Sequence, residues 1–175
     1  YPENFSMIHN QLISFNLAER SLNVRILGFG GASMGIYNNF AFEEEEIFEH
    51  INELFKDHHI EADMSAQNEI VILMVHDPPF DTPLDKTFKN THVGSKSVRK
   101  CIETHKPNIC VCGHIHESRG IAQIGKTIAI NAGDWRSQKS YAIVELDGGK
   151  INQKNPTLSV FFMNQEDERI SFNLE

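Results

Sequence analysis

The sequence predicts an α/β domain, in which helices and strands alternate first and strands dominate afterwards. Two continuous apolar runs, residues 70–75 and 109–112, are bounded by turn residues, which is typical of strands buried on both faces of a sheet. Amphipathic helical patterns at 43–57 and 95–106 each precede one of these runs. Strand-like segments then follow at the ranges 120–131, 139–147, 157–163 and 169–174, with a turn at Asp147-Gly148-Gly149.

The elements ahead of the first apolar run are predicted to be a helix, a strand and a second helix. Residues 2–15 are predicted to be helical because Pro2 and Glu3 suit a first turn and the apolar residues recur at helical spacing: Phe5, Ile8 and Leu12. Residues 22–27 alternate as a strand does and lead into a glycine-rich turn. Four glutamates open helix 43–57 and are interpreted as a solvated helix start. Residues 58–68 are predicted to form an exposed loop.

Composition excludes several classes of function. The 175 residues suit one globular domain, 1–175, with no repeat or linker to divide it. A formal net charge of −8 disfavours broad binding of a nucleic-acid backbone, but it leaves room for a small anionic substrate because a bound metal can reverse the local sign. No apolar run approaches the roughly 18 residues of a membrane span. The three cysteines form no disulfide framework, so we expect reduced thiols and a cytoplasmic location.

Histidines stand immediately after both buried strands. His76 follows the first run, and His114 and His116 follow the second after the bend that Gly113 allows. Ligand sites of open α/β sheets gather at the carboxyl ends of strands, and neutral imidazole suits Zn, Mn, Fe or Ni. We therefore predict that these three histidines bind metal. The other helix-associated histidines are predicted to be surface residues: His9, His50, His58, His59 and His105.

Two other metal sites are conceivable from the same residues. Cys110, Cys112, His114 and His116 alternate and superficially suggest structural zinc. Four alternate residues on an extended strand point along a line and cannot enclose one ion, so we expect the cysteines to pack in the sheet instead. The second alternative is a mononuclear site of three histidines, complete in itself.

Several segments together resemble the calcineurin-like metallophosphoesterase superfamily, and its small prokaryotic branch in particular. They are Ile70–Phe80, Thr91-His92-Val93-Gly94-Ser95, Cys112-Gly113-His114-Ile115-His116-Glu117 and Asn131-Ala132-Gly133. The resemblance spans about residues 20–147. It implies a β-sandwich of two mixed sheets flanked by helices, with two divalent metal ions (Mn, Fe, Zn or Ni) that activate water against the phosphorus of a small phosphorylated substrate.

The resemblance also implies roles for individual residues. His76 and His114 would bind one metal and His116 the other. Asp77 would orient His76 or lie in an exposed loop. His92 would contact the substrate phosphate or be an ordinary loop residue near the start of helix 95–106.

Three motifs of the family have no counterpart ahead of these segments: Asp-x-His, Gly-Asp-x-x-Asp and Gly-Asn-His-Asp/Glu. Asp57-His58-His59 and Gly133-Asp134 match two of them in letters only. Tyr1-Pro2-Glu3 falls about where a family chain resumes after its Gly-Asn loop. We therefore expect the C-terminal part of a longer phosphoesterase, with the catalytic residues upstream of Tyr1 and little activity in this chain alone. The alternative function is a non-catalytic interaction scaffold on the same fold.

Overall fold

The computed structural model describes residues 8–18, 22–33, 41–60, 69–147, 157–163 and 168–173. The strands are β1 (Gln11–Leu17), β2 (Leu22–Phe29), β3 (Ala32–Ser33), β4 (Ala41–Phe42), β5 (Glu69–Val75), β6 (Ile109–Cys112), β7 (Gly120–Ile124), β8 (Thr127–Asn131), β9 (Tyr141–Asp147), β10 (Thr157–Met163) and β11 (Glu168–Asn173). The helices are α1 (Glu44–Asp57), α2 (Lys96–His105) and the short α3 (Trp135–Gln138). Single 3-10 turns lie at Pro83–Asp85 and His116–Ser118.

A mixed six-stranded sheet positions the strand ends. Its order is β1-β2-β5-β6-β8-β7, with the four inner strands parallel and the two edge strands antiparallel to their neighbours. β5 and β6 are direct neighbours, with Ile72 opposite Ile109. Their carboxyl ends therefore lie side by side, as the positions of the histidines after both strands required. Strands β9, β10 and β11 form a separate antiparallel sheet.

Each face of the large sheet carries its own apolar layer. On one face, α1 and α2 cover buried sheet residues such as Leu27 and Leu73, and α1 contributes Phe55 to the same layer. On the other face, Ile70, Ile109 and their neighbours pack against the three-stranded sheet through residues that include Val160. The predicted α/β class, the two buried strands and both amphipathic helices are confirmed.

The helix predicted for residues 2–15 is wrong where the structure describes it. Residues 2–7 lie outside the described part, and β1 occupies 11–17. β1 pairs antiparallel with β2 along its whole length, with Ile13 opposite Ile26. The pairing satisfies the backbone hydrogen bonds of this segment and suits its β-branched and aromatic side chains. The contacts with β2 therefore override the helical spacing of the apolar residues, which is only a weak preference.

Smaller differences concern loops. The segment 120–131 was predicted as one strand, but a turn at Gly125, whose φ is +58°, divides it into the antiparallel pair β7 and β8. The predicted loop 58–68 begins with a turn after α1, and its residues 61–68 lie outside the described part, as do Gly148, Gly149 and residue 174. Among the described residues, no helix is long and apolar enough to cross a membrane.

Candidate metal centre

Backbone hydrogen bonds tie the two histidine-bearing loops together. The Gly113 N–H donates to the His76 carbonyl at 3.1 Å, so the chain after β6 is fixed against the chain after β5. The Ile115 N–H then donates to the Gly113 carbonyl at 2.8 Å, which closes a three-residue turn around His114. His114 has a φ of +64°, the sign of the rarer and more strained γ-turn. Such strain outside glycine is concentrated at functional sites.

This turn brings two imidazoles into contact. His76 Nε2 lies 2.9 Å from His114 Nδ1, and the ring centroids are 4.7 Å apart. Loss of hydration at the partly covered ring lowers the pKa of His76 below its ordinary value, and His114 lowers it further, while Asp77 opposes both. A lowered pKa keeps the imidazole neutral near pH 7, and the neutral form is the one that binds metal.

Asp77 supplies the third donor. Its side chain is only 2% exposed, and its Oδ2 accepts both the backbone N–H and the hydroxyl of Ser33 at 2.6 Å. Its other oxygen, Oδ1, is buried and has no hydrogen-bond partner among the described residues. A buried carboxylate oxygen without a partner is costly unless a cation or another donor meets it.

These donors fit a divalent cation. One ligand atom each from His76, Asp77 and His114 lies within 4.8 Å of the others. Two nitrogens that share one ion at roughly 2.1 Å each are separated by about 3.0 Å at an octahedral angle and about 3.4 Å at a tetrahedral one. The 2.9 Å between the two ring nitrogens is near the lower of these values. Imidazole with carboxylate is a donor set suited to Zn, Mn, Fe or Ni. Asp77 is thus a candidate ligand, and the alternative of an exposed loop carboxylate is wrong. Its orientation of His76 remains a prediction.

His116 lies beside the cluster but not in it. Its Nδ1 is 3.8 Å from Asp134 Oδ2, and its side chain is 58% exposed. It is near enough to His76 to contribute to the lowering of the pKa of that ring. Binding of a second ion by His116 remains a prediction. Asp134, seen from the sequence only as part of a partial motif match, is the carboxylate that the structure brings to His116.

His92 is held by a carboxylate that sequence reasoning missed. His92 Nδ1 lies 2.6 Å from Oδ1 of Asp85, which is fully buried, and its Nε2 lies 3.6 Å from the exposed Asp81. Asp85 also accepts backbone N–H groups from Thr82 and Gly94, at 3.0 and 2.9 Å. The sequence signal was Thr82 three residues ahead of Asp85, the spacing of a capping box. Contact of His92 with substrate remains a prediction.

The profile of the family described as "Metallophosphoesterase, calcineurin superfamily" matches residues 4–155. The chain belongs to this superfamily. The match covers β5, β6 and every residue of the candidate metal centre. The resemblance carried by the strand-end histidines is therefore confirmed.

Relatives of this metallophosphoesterase chain extend well beyond the part that it matches. The uncharacterized protein MJ1162 of Methanocaldococcus jannaschii is 38% identical over 128 residues, which cover 70% of this chain and 52% of that protein. TT1561 of Thermus thermophilus has a similar fold, with a TM-score of 0.51 and 13% identity over 96% of this chain and 59% of its own. Another crystal structure gives a TM-score of 0.58 and 15% identity, with coverage of 97% and 55%. The chain thus spans about half the length of these relatives.

The two β6 cysteines of this metallophosphoesterase chain pack in the sheet. Cys110 and Cys112 are buried in the layer that α1 and α2 cover, and all three thiols are free. Burial raises the pKa of Cys101 and Cys110 to about 12 and that of Cys112 well above its ordinary value. The expectation that the β6 cysteines pack in the sheet is therefore confirmed, whereas His114 and His116 beyond the strand are exposed.

One of the predicted surface histidines is buried. The His105 ring stacks on Phe55 at 4.2 Å with an interplanar angle of 6°, and its Nε2 donates to Asn52 Oδ1 at 3.1 Å. Burial, and to a lesser extent Lys56, lowers the pKa of His105. Its position at the end of α2 suggested exposure, but the facing α1 covers it.

Proposed function

We propose that this chain contributes part of the active site of a phosphoesterase that hydrolyses phosphate mono- or diesters. The observation that supports this best is the buried, unpartnered Oδ1 of Asp77 beside the two imidazoles of His76 and His114. Two divalent cations bound there would supply Lewis acidity, a bound water of lowered pKa and charge for the attacking and leaving oxygens. His76 and His114 would hold one ion, and His116 the other.

The chain's own residues prepare this site. Ser33 occupies Asp77 Oδ2 with two hydrogen bonds, which leaves Oδ1 as the oxygen directed to a cation. The lowered pKa of His76 keeps its nitrogen unprotonated at neutral pH. The strained turn at His114 fixes the second ring against the first. Donors that are held in place before binding lose little freedom when an ion arrives.

His92 is the residue that we assign to the substrate phosphate. Its Nδ1–H donates to the buried carboxylate of Asp85, so Nε2 is the nitrogen that would face the substrate, where a phosphate oxygen would take the place of the exposed Asp81 carboxylate that lies 3.6 Å away. The loop that carries both residues is anchored near the metal centre, because the Ser95 N–H donates to the Pro78 carbonyl at 2.9 Å.

The charge of the ligands indicates that two divalent ions need carboxylates in addition to these residues. Three neutral imidazoles and the Asp77 carboxylate offer one negative charge to two divalent ions. Since carboxylates normally bridge and neutralise such pairs, we propose that others complete the site. The 175-residue chain alone would then bind at most one ion weakly and hydrolyse phosphate esters poorly. The histidines favour this function over a non-catalytic scaffold, which needs none of them.

The test combines metal binding with turnover. The purified chain is titrated with Mn²⁺ by calorimetry, and hydrolysis of p-nitrophenyl phosphate and its bis ester is measured. We expect at most one weakly bound ion, which is lost in His76→Ala and in His114→Asn, the latter chosen because asparagine tolerates a left-handed backbone. His59→Asn is the matched control. Binding that survives both variants would overturn the site, and robust Mn²⁺-dependent turnover by this chain would overturn the need for further ligands.

A further inference from the structure

The only tryptophan of the chain stands next to the metal centre and faces solvent. Trp135 is 61% exposed. It follows Asp134, whose Oδ2 lies 3.8 Å from His116 Nδ1. Single exposed apolar side chains are ordinary. Trp135 differs because this large aromatic side chain is exposed beside a candidate catalytic site, where it could contact a ligand.

The loop around Trp135 is a fixed structure. The Arg136 N–H donates to Asp134 Oδ1 at 2.9 Å, and the Ser140 N–H donates to the Asp134 carbonyl at 3.3 Å. The Lys139 N–H closes the α3 turn on the Trp135 carbonyl at 3.1 Å. The indole is therefore presented by a hydrogen-bonded turn, which lowers the entropy lost when a ligand binds it.

Neighbouring side chains hold the indole itself. The Tyr141 and Trp135 rings form a T-shaped pair, with centroids 5.7 Å apart and an interplanar angle of 62°. The Lys139 ammonium lies over one face at 5.6 Å from the ring centroid. The indole remains 61% exposed beside these two neighbours, so part of the ring surface is left for a flat ligand.

A second exposed aromatic residue is tied to the same histidine. Phe88 is 89% exposed, the largest value among the exposed apolar side chains of the described residues. Its backbone N–H donates to Oε1 of Glu117 at 3.1 Å, and Glu117 is the residue after His116. Trp135 and Phe88 are thus anchored through the two acidic neighbours of His116, namely Asp134 in space and Glu117 in sequence.

We propose that Trp135, supported by Tyr141, is a stacking surface for a nucleobase, so that the phosphoester substrate is a nucleotide. This rests on the proposed function, because the phosphate must reach the metal centre beside His116. Phe88, which is linked to the same site through Glu117, is a second candidate contact for the base. Indole stacks well on any base, and base–aromatic stacking is the usual means of holding a single nucleotide. Stacking of one nucleotide needs no basic groove, which agrees with a net charge of −8.

Fluorescence tests the proposal directly because Trp135 is the sole tryptophan. The chain with Mn²⁺ is titrated with adenosine, AMP and ribose 5-phosphate, and binding is measured in parallel by calorimetry. We expect adenosine and AMP to quench the indole, and ribose 5-phosphate to leave it unchanged. Trp135→Ala should weaken AMP binding roughly 5- to 150-fold and leave ribose 5-phosphate unaffected. Trp135→Phe should retain most of the affinity.

Phe15→Ala is the matched control, since Phe15 is 51% exposed on the opposite edge strand β1. Absence of quenching by both adenosine and AMP, together with equal affinity for AMP and ribose 5-phosphate, would overturn the stacking surface. Failure of the proposed function gives a different pattern: adenosine and AMP quench equally, and Mn²⁺ adds nothing to the binding of AMP. If Phe88→Ala leaves the affinity for AMP unchanged, Phe88 is not part of the stacking surface, and Trp135 alone forms it.

Discussion

The segment 110–116 places two pairs of potential metal ligands, two cysteines and two histidines, in different environments. Cys110 and Cys112 on β6 point into the layer beneath the helices, whereas His114 and His116 lie just beyond the strand in solvent contact. All four alternate in sequence. The pleat of β6 sends both cysteines to one face, and the turn after Gly113 then redirects the chain, so that His114 meets His76 instead of continuing the line.

The difference teaches that the environment decides which potential ligands function. Burial without a charge partner keeps the thiols protonated, with pKa values raised to about 12 at Cys110. Beyond the end of the neighbouring strand β5, by contrast, the buried group is a carboxylate oxygen. This oxygen, Oδ1 of Asp77, has no hydrogen-bond partner among the described residues. The first arrangement stabilises the fold, and the second invites a cation.

The largest expected effect is on thiol reactivity. At pH 8, the pKa of about 12 leaves Cys101 and Cys110 almost entirely as thiols in the folded chain. Labelling by 5,5′-dithiobis(2-nitrobenzoate) should therefore be roughly a thousand-fold slower in the native chain than in guanidinium, where thiols have an ordinary pKa of about 8.5. Rapid stoichiometric labelling without denaturant would show that the buried half of the segment is accessible.

The next largest effect is on metal affinity, which a substitution among the histidines should lower and a substitution among the cysteines should not. His114→Asn should lower affinity for Zn²⁺ or Mn²⁺ by about 100-fold or more, because an imidazole donor is lost. Cys112→Ala is the matched change on the buried side and should leave metal affinity unaltered. Calorimetric titration of both variants measures the difference, and a loss of affinity in Cys112→Ala would break the comparison.

A smaller effect is expected at the carboxylate. Asp77→Asn preserves the shape of the side chain but removes the charge at Oδ1, and we expect metal affinity to fall about 10- to 100-fold. Asp57→Asn, at the exposed end of α1, is the control. Thermal unfolding of the metal-free variants verifies folding, and unchanged affinity in Asp77→Asn would remove Asp77 from the site.

Sequence reasoning succeeded where the local pattern alone determines the outcome. β5 and β6 are continuous apolar runs, and because neighbouring parallel strands end at the same edge, His76 and His114 were predicted to meet. It failed for β1, whose structure depends on pairing with β2. It also missed the contacts of Ser33 with Asp77, because these residues are 44 positions apart and no local pattern links them.

The smallest effect concerns His105, a histidine in a packed interface. Burial lowers the pKa of His105 in the folded chain. As pH falls, His105 is therefore protonated first in the unfolded chain, near its ordinary pKa of about 6.5. Between that value and the folded pKa the unfolded state binds more protons, so the free energy of unfolding falls as pH falls. His105→Phe should flatten the dependence in urea unfolding between pH 7 and 5, with His59→Asn as control. An unchanged slope would contradict the burial of this ring.

X-ray absorption of the Zn²⁺-loaded chain tests the central claim most directly, because it reads the ligand elements without reference to activity. Bonds to nitrogen or oxygen at roughly 2.0–2.2 Å are expected, with outer-sphere scattering from two imidazoles and no sulfur. The same spectrum should persist in Cys112→Ala and change in His114→Asn. A zinc–sulfur distance of about 2.3 Å would contradict the account, since it would put the ion on the cysteines of β6.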